Sequence, residues 1–436
     1  MVRVFCFLFF LFYGLSVHAQ SEVFYYKDSE NLSLKEIVYK DFELLNENGV
    51  LERHSTNAHW FKIPSDPSDS TYIFRVPFER YTDAQAYQGD QQLEKLSNER
   101  YLSYRFTREQ DVFIRIDPEL HDYIPIELHE ESKSILKDRY ELLLNSFYYG
   151  FAFLIIIYNL GYYFVFKDDA FLDYALLLLT VSVGIFTLDG MLNFFGITGM
   201  PNKVIMILNY SFLAYFSSKF AKSYLFLDHY YPKTVRFTYL IGIAILVCGL
   251  LYLFTLNYYY LLSVNTLLFS LLLMYWLLAV SLFRKNRYTR IFIVAYSILL
   301  FSGFDYYFLK FIGYSVINTS TTTLKIGAFV EMIILSGAVL YRMNVLNAEN
   351  ESMRNEILQF SSNIKNQKEF TNKLDSLSLR ERQIFNLIAH SYSNKEIANT
   401  LNVSINTVKF HVKNIYEKLE IKNRKEALSF AQNLIK

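Results

Sequence analysis

The chain has 436 residues, room for two to four domains, and 52% of them are hydrophobic and 18% aromatic, more than a wholly soluble protein carries. Its formal charge of +1 is a sum of opposites: residues 21–138 hold 24 Asp/Glu against 14 Lys/Arg (−10), and residues 372–436 hold 11 Lys/Arg against 6 Asp/Glu (+5). An acidic exported end joined to a basic end that meets a polyanion fits this split, and with Cys6 and Cys248 as the only cysteines no disulfide or multi-cysteine metal site is expected within one mature chain.

In chain order, residues 1–19 read as a cleavable signal peptide. Arg3 precedes an apolar core from Val4 to Leu15, and Ser16-Val17-His18-Ala19 supplies small residues before Gln20, the layout of an export signal. An uncleaved signal anchor is the alternative. Cys6 lies at the start of the apolar core without small residues before it, which argues against a lipoprotein signal.

Residues 20–141 show period-two alternation, as in His59-Trp60-Phe61-Lys62-Ile63, Tyr72-Ile73-Phe74-Arg75-Val76 and Asp111-Val112-Phe113-Ile114-Arg115-Ile116. Turn groups such as Pro64-Ser65-Asp66-Pro67-Ser68-Asp69 separate them, so half-buried antiparallel strands of a small β-sandwich are expected. Trp60 reads as a core aromatic more readily than as a sugar-stacking platform. His54, His59, His121 and His129 lack a metal-ligand spacing, and no metal is expected.

Residues 145–346 hold the apolar excess. Seven spans are predicted at about 145–166, 170–190, 202–223, 236–256, 257–283, 289–313 and 322–346. Helices are the form that satisfies every backbone polar group in lipid. The short loop Phe283-Arg284-Lys285-Asn286-Arg287-Tyr288-Thr289-Arg290 is basic, Lys222, Lys233 and Arg236 fall in another, and Gly313 to Thr323 has no charge. By the positive-inside rule and the odd number of spans, the N-terminal domain is expected in the periplasm and the C-terminus in the cytoplasm of a multi-pass inner-membrane protein. Asp189 and Asp305 fall toward the outer ends of spans two and six and Glu331 in the outer half of span seven, with Lys310 and Lys325 on the same side. Ionisable groups at such depth are costly, so these three acids are the candidate switch residues, against the plainer reading of interhelical polar pairs.

Ala58-His59-Trp60-Phe61-Lys62-Ile63, Asp83-Ala84-Gln85-Ala86-Tyr87, Ile124-Pro125-Ile126-Glu127-Leu128, Tyr148-Tyr149-Gly150, Tyr158-Asn159-Leu160, Lys167-Asp168-Asp169-Ala170 and Leu188-Asp189-Gly190 carry a resemblance. Over about residues 35–346 the chain resembles the bacterial seven-transmembrane receptors with diverse intracellular signalling modules. The resemblance implies a jelly-roll-like outer domain and a carbohydrate-like periplasmic ligand.

The linker, 347–374, continues an apolar spacing that begins at Leu346. With d positions at 346, 353, 360, 367 and 374 and a positions at 350, 357, 364 and 371, six of nine seam residues are apolar, while Asn350, Gln367 and Thr371 are not. A parallel coiled coil making a homodimer is expected, with an amphipathic connector as the alternative.

Residues 375–436 carry the most specific pattern. Apolar residues at helical spacing (Ile384, Leu387, Ile388; Ile397, Ala398, Leu401; Val408, Val412, Ile415, Leu419) predict several short helices on one core. Asn402-Val403-Ser404 makes a tight turn with Ser404 as N-cap, hence a helix-turn-helix. The second helix presents Asn406, Lys409, Phe410, Lys413 and Asn414 for a DNA groove, with Lys409 and Lys413 on one face. The segment resembles the LuxR-type (NarL-like, GerE) DNA-binding domain. The resemblance implies base contacts by Lys409, Phe410 and Lys413, backbone contacts by Asn394, Lys395 and Thr407, and internal ordering by Glu381. Ser391 and Glu420 stand where that family has glycines.

No nucleophile–base–acid set, phosphate-binding glycine loop or kinase signature is found, so neither an enzyme nor a cofactor is expected. The expected whole is a membrane-tethered one-component transcriptional regulator whose partners are DNA, the membrane and a periplasmic ligand. One rival is a receptor whose C-terminal domain acts through protein contacts. Another, a transporter with an appended regulator, needs a polar pathway that the few midmembrane charges do not supply.

Overall fold

The computed structural model describes residues 23–45, 49–52, 57–66, 70–118, 122–285, 287–307 and 321–432. The signal peptide, His54, His121, Lys310 and most of the uncharged loop before Thr323 lie outside the described residues. The chain divides into two compact units, Met1–Met343 and Asn344–Lys436.

The first unit begins with antiparallel strands: β1 Phe24–Asp28, β2 Glu43–Leu44, β3 Gly49–Glu52, β4 Ala58–Ile63, β5 Thr71–Val76, β6 Gln85–Gln88, β7 Gln91–Gln92, β8 Leu102–Thr107, β9 Val112–Ile116, β10 Asp122–Pro125 and β11 Glu127–Glu130. They form a six-stranded sheet β2-β1-β4-β9-β6-β7, a three-stranded sheet β11-β5-β8 and a β10-β3 pair. The three strands expected from alternation, 59–63, 72–76 and 111–116, are β4, β5 and β9 within a residue. Period two sends Phe61, Ile63, Val112, Ile114 and Ile116 into a core shared with Phe74, Val76, Leu102 and Tyr104 of the other sheet, as a β-sandwich requires.

The alternate residues Tyr26, Trp60 and Phe113 face the other way. There they are covered by Leu32, Leu34, Ile37 and Phe42 from the segment containing the one-turn helix α1, Leu34–Ile37. Trp60 is 1% exposed, and its Nε1 donates to Asp28 Oδ2 at 3.1 Å. That carboxylate also accepts from Glu30 N at 3.0 Å and Leu32 N at 2.8 Å. Trp60 is the core aromatic the sequence suggests, and the cover leaves no stacking surface on it.

Long helices follow: α2 Glu131–Phe166, α3 Asp169–Leu188, the short α4 Met191–Phe194, α5 Met200–Leu225, the short α6 Leu227–Tyr230, α7 Pro232–Thr255, α8 Tyr258–Ser281, α9 Arg287–Tyr307 and α10 Thr321–Asp375. Among the described residues, six of these (α2, α3, α5, α7, α8 and α10) are long and apolar enough to cross a membrane. The sixth expected span corresponds to α9, and its expected end at 308–313 lies outside the described residues. Two elements are longer than expected. α2 starts at Glu131, fourteen residues before the apolar run, with Arg100 pairing to Asp138 and Glu141 on this polar first part. α10 runs 55 residues without a break, so the span expected at 322–346 and the linker are one helix.

The helical block packs around buried aromatics, including Tyr174, Phe220, Tyr224, Tyr275 and Phe292, while many apolar side chains such as Phe153, Leu240 and Phe254 are exposed. An apolar interior and an apolar exterior together are what a lipid-facing bundle needs and a soluble one avoids.

At the end of the block away from the sandwich, α10 is clamped by Arg342, 3% exposed. Its guanidinium donates to Asp168 Oδ2 at 2.6 Å, to Ser223 O at 3.0 Å and to Tyr224 O at 3.1 Å, and it lies over the Phe226 ring at 4.6 Å. The two carbonyls belong to the last turn of α5, where no amide remains to satisfy them. Asp168 is the N-cap of α3, accepting from Ala170 N at 2.9 Å.

The second unit contains the rest of α10 and four helices, α11 Leu379–Ala389, α12 Asn394–Thr400, α13 Ile405–Leu419 and α14 Arg424–Gln432. They close on one core of Leu377, Ile384, Phe385, Ile388, Ile397, Ala398, Val408, Val412, Ile415, Leu419, Ala427 and Ala431, which is the apolar set the spacing selects.

Candidate nucleic-acid interface

Three serines start the three helices that matter. Ser378 and Ser393 each form a reciprocal box with the glutamate three residues on, Glu381 and Glu396. Ser404 Oγ accepts from Thr407 N at 3.1 Å, the N-cap expected for the second helix. Each cap satisfies amides that the helix itself cannot, and each fixes where its helix begins. The two boxes were legible as Ser-x-x-Glu, a signal the spacing of apolar residues does not report.

The turn between α12 and α13 is Leu401 to Ser404, with Asn402 at φ +50°. It places α13 on α12 through Val408, Val412 and Ile415, all buried. The opposite face of α13 therefore carries Asn406, Lys409, Phe410 and Lys413, all exposed. Phe410 is 61% exposed, a large apolar ring held in water by the helix geometry, beside two ammonium groups. Thr407 sits in the first turn of α13, its hydroxyl 2.7 Å from Ser404 Oγ. Asn394 and Lys395 open α12; Lys395 is exposed, while Asn394 is half-buried and accepts from Arg424 Nη1 at 3.4 Å. Arg424 also donates to the Tyr392 carbonyl, so α14 braces the start of α12, a tie that only the tertiary structure reveals.

Glu381 is 4% exposed and joins the start of α11 to α13: it accepts from Ser378 N at 2.8 Å and from Lys418 Nζ of α13 at 2.6 Å. The Lys418 ammonium, followed by the Ser378 N–H, holds its carboxyl below the usual carboxylate range. A depressed folded-state pKa gives stability that is present above the unfolded carboxyl value, about 4.3, and is lost as pH falls through the folded one. The stability of this domain should accordingly decline in acid, and Glu381→Gln should flatten the decline, as read by denaturant unfolding between pH 3 and 7.

Ser391 and Glu420 lie at φ +67° and +57°, just past the C-terminal ends of α11 and α13. These are left-handed positions where glycine costs nothing and a side chain does. Ser391→Gly should stabilise the domain by about 1 kcal/mol, measured as a raised urea midpoint at unchanged slope. Glu420 has a compensation that Ser391 lacks, since it accepts from Lys373 Nζ at 2.6 Å. Lys373 lies near the end of α10, and Arg382 adds bonds to Leu374 O and Asp375. The linker end is thereby fastened to the C-terminus of α13.

A capped turn followed by a helix with an exposed basic face is a helix-turn-helix, and the comparisons agree. Residues 375–431 match the family model of bacterial regulatory proteins, luxR family, and residues 141–342 match that of 7TM diverse intracellular signalling. The two segments are those of the expected fusion. The LuxR-type domain is 48% identical over 59 residues to the HTH-type transcriptional regulator MalT of Vibrio campbellii (strain ATCC BAA-1116), covering 14% of this chain and 6% of that one. It is 50% identical over 54 residues to the putative HTH-type transcriptional regulator YhjB of Escherichia coli (strain K12), covering 12% of this chain and 27% of that one. MalT of Yersinia pestis (strain Pestoides F) is 46% identical over 59 residues, again 14% of this chain and 6% of that one. The likeness to these relatives is thus confined to the LuxR-type domain and spans a small part of their length. No solved structure matches.

Of the candidate switch residues, Asp189 is brought together with other polar groups. It is 1% exposed and accepts from Tyr149 Oη at 2.6 Å and from Lys325 Nζ at 3.0 Å, the interhelical pairing the sequence allowed. Glu331 is buried on α10 within electrostatic reach of Tyr148, Tyr174 and Tyr296. Asp305 lies in α9, and its side chain is outside the described residues. Among the described residues no group of three His, Cys, Asp or Glu could hold a metal ion.

Proposed function

We propose that this chain is a membrane-held transcriptional regulator that binds DNA through its LuxR-type domain and takes its input from the sandwich domain. The observation that carries the DNA reading is the face of α13, where Lys409, Phe410 and Lys413 are exposed together on a helix fixed from behind by Val408, Val412 and Ile415. Such a face reads the major groove, with Lys409 and Lys413 reaching guanine edges or phosphates and Phe410 making apolar contact with bases. Thr407, Lys395 and Asn394 sit at helix N-termini, the usual place for phosphate contacts. The names of the MalT and YhjB relatives, transcriptional regulators, support the same reading.

In this proposal the domains are the signal peptide at 1–19, a periplasmic sensor at 20–141, a seven-span receptor region at 145–346, a linker at 347–374 and the DNA reader at 375–436. The basic short loops support the orientation, with the sandwich outside and the LuxR-type domain in the cytoplasm of a bacterial inner-membrane protein. Met353, Ile357, Phe360 and Ile364 are all exposed along one seam of α10. A second copy of the chain is the proposed occupant of that seam, as a short coiled coil. With no phosphoryl-transfer module in the chain, coupling is conformational or by proteolytic release, and Asp189, Asp305 and Glu331 are the proposed switch residues. The regulator is read as a non-enzyme that senses a periplasmic or membrane signal, with a carbohydrate-like ligand implied by the receptor resemblance.

Selection from random duplexes with residues 344–436 tests the reading. A recovered motif of two half-sites supports it. Recovery of no sequence above background favours the rival, a C-terminal domain that acts through protein contacts.

A further inference from the structure

The end of the helical block nearest the sandwich is built around one tight corner. Gly190, between α3 and α4, has φ +70°, and a Cβ there would fall 2.3 Å from the carbonyl oxygen of Arg100. The corner therefore lies flat against the backbone that leads into β8. Asn193 of α4 donates to Arg100 O at 3.3 Å and to Glu79 O at 3.2 Å, so two sandwich segments rest on this one side chain. Arg100 itself is 3% exposed and its guanidinium pairs with Asp138 and with Glu141, the latter at 2.7 Å, both on the polar first part of α2.

The residue beside Gly190 is Asp189, whose carboxylate holds Lys325 of α10 at 3.0 and 3.2 Å. Lys325 also donates to Asn145 of α2. A contiguous set of close contacts thus runs from the sandwich backbone at Arg100, through the corner, to the first turns of the helix that continues to Asp375. An ion pair this deeply buried is expensive to loosen by degrees, so it favours two discrete arrangements, closed and open, over a graded one.

We propose that the Arg100–Gly190 contact is where the sandwich acts on the helical block, and that the Asp189–Lys325 pair is the latch it works on α10. Movement of the sandwich displaces the corner; displacement of the corner separates the pair; and α10, freed at that end, shifts against α2 and α3. Asp189, Lys325 and Gly190 are positioning residues in this account. The latch rests on the regulator reading above, which makes α10 the output element, but its test does not require DNA.

The test is hydrogen–deuterium exchange over residues 321–346 in the purified full-length protein, for Gly190→Ala, Asp189→Asn, Lys325→Met and the exchanged pair Asp189→Lys with Lys325→Asp. Gly190→Ala, whose Cβ meets Arg100 and Tyr101 first, should speed exchange in the first turns of α10 about tenfold, within the range of ordinary coupling between sites. Asp189→Asn and Lys325→Met should do the same, their combination no more than either alone, and the exchanged pair should return exchange to within about twofold of wild type, as coupled partners do. Wild-type exchange in Gly190→Ala would overturn the point of input. Additive single effects that the exchanged pair does not reverse would overturn the latch. Chromatin occupancy of the same variants then separates the two ideas: a protein that couples in this way but occupies no DNA keeps the latch and loses the regulator reading.

Discussion

Lys409→Ala combined with Lys413→Ala should weaken specific DNA binding by a factor of about a hundred or more, since each lysine contributes about 1–3 kcal/mol if it reaches a base edge. The same double variant should lower the slope of log affinity against log salt by about 2, because two ammonium groups no longer release counterions. These two readouts separate roles. Loss of affinity with a full change of slope assigns both lysines to phosphates, and loss of sequence preference with a smaller change assigns at least one to a base. Folding should be untouched, for both side chains project from the face of α13 opposite Val408, Val412 and Ile415. Fluorescence anisotropy over a salt series measures all of this on one preparation, with the unfolding midpoint as the control. Unchanged output in cells, with the protein at normal abundance, would instead favour a domain that works through protein contacts.

Arg342→Ala should lower the stability of the helical block by about 3 kcal/mol, the usual result of removing one partner from a buried, fully hydrogen-bonded charge pair. Three acceptors lose their donor at once: Asp168 Oδ2, Ser223 O and Tyr224 O. The loss leaves the Asp168 carboxylate without its cation and two carbonyls at a helix C-terminus, where the helix itself supplies no further amide, without a donor. Arg342→Lys should recover only part, since a point charge cannot fork across the three positions that a planar guanidinium spans. Thermal unfolding in detergent, read as a fall of about 10 °C for alanine and a smaller one for lysine, checks the order. Equal losses for the two would mean that the fork, and not the charge, sets the clamp, and wild-type stability for lysine would mean the reverse.

What the sequence discloses here follows from the range of the forces involved. Hydropathy is a property of consecutive residues, so the helices expected at 170–190, 202–223, 236–256 and 257–283 were legible to within four residues, while α2 and α10 overrun their apolar runs, and period-two alternation placed β4, β5 and β9. The helix-turn-helix was legible down to Ser404 as N-cap, and Ser391 and Glu420 were marked through the resemblance to the LuxR-type domain, which has glycines at those places. The remainder depends on partners far apart in the chain. Lys325 meets Asp189 across 136 residues and Arg342 meets Asp168 across 174. A charge in an apolar run announces that it needs a partner without naming it. The polar first part of α2 falls in the 20–141 segment expected as the outer domain, and nothing in its sequence marks Asp138 and Glu141 as the acids that receive Arg100. The cover over Trp60, made by Leu32, Leu34, Ile37 and Phe42, was hidden for a different reason. A short segment that buries itself on a sheet carries no periodicity long enough to read.

On the proposed function, this protein occupies DNA while it is held in the membrane. Chromatin immunoprecipitation of the intact full-length chain, alongside the Lys409→Ala/Lys413→Ala variant and a control for release of the LuxR-type domain by proteolysis, tests it most directly. Enriched sites that share a motif, are bound by the uncleaved protein and vanish in the double variant are predicted. No enrichment of DNA with the uncleaved protein, at normal abundance in the membrane, would contradict it.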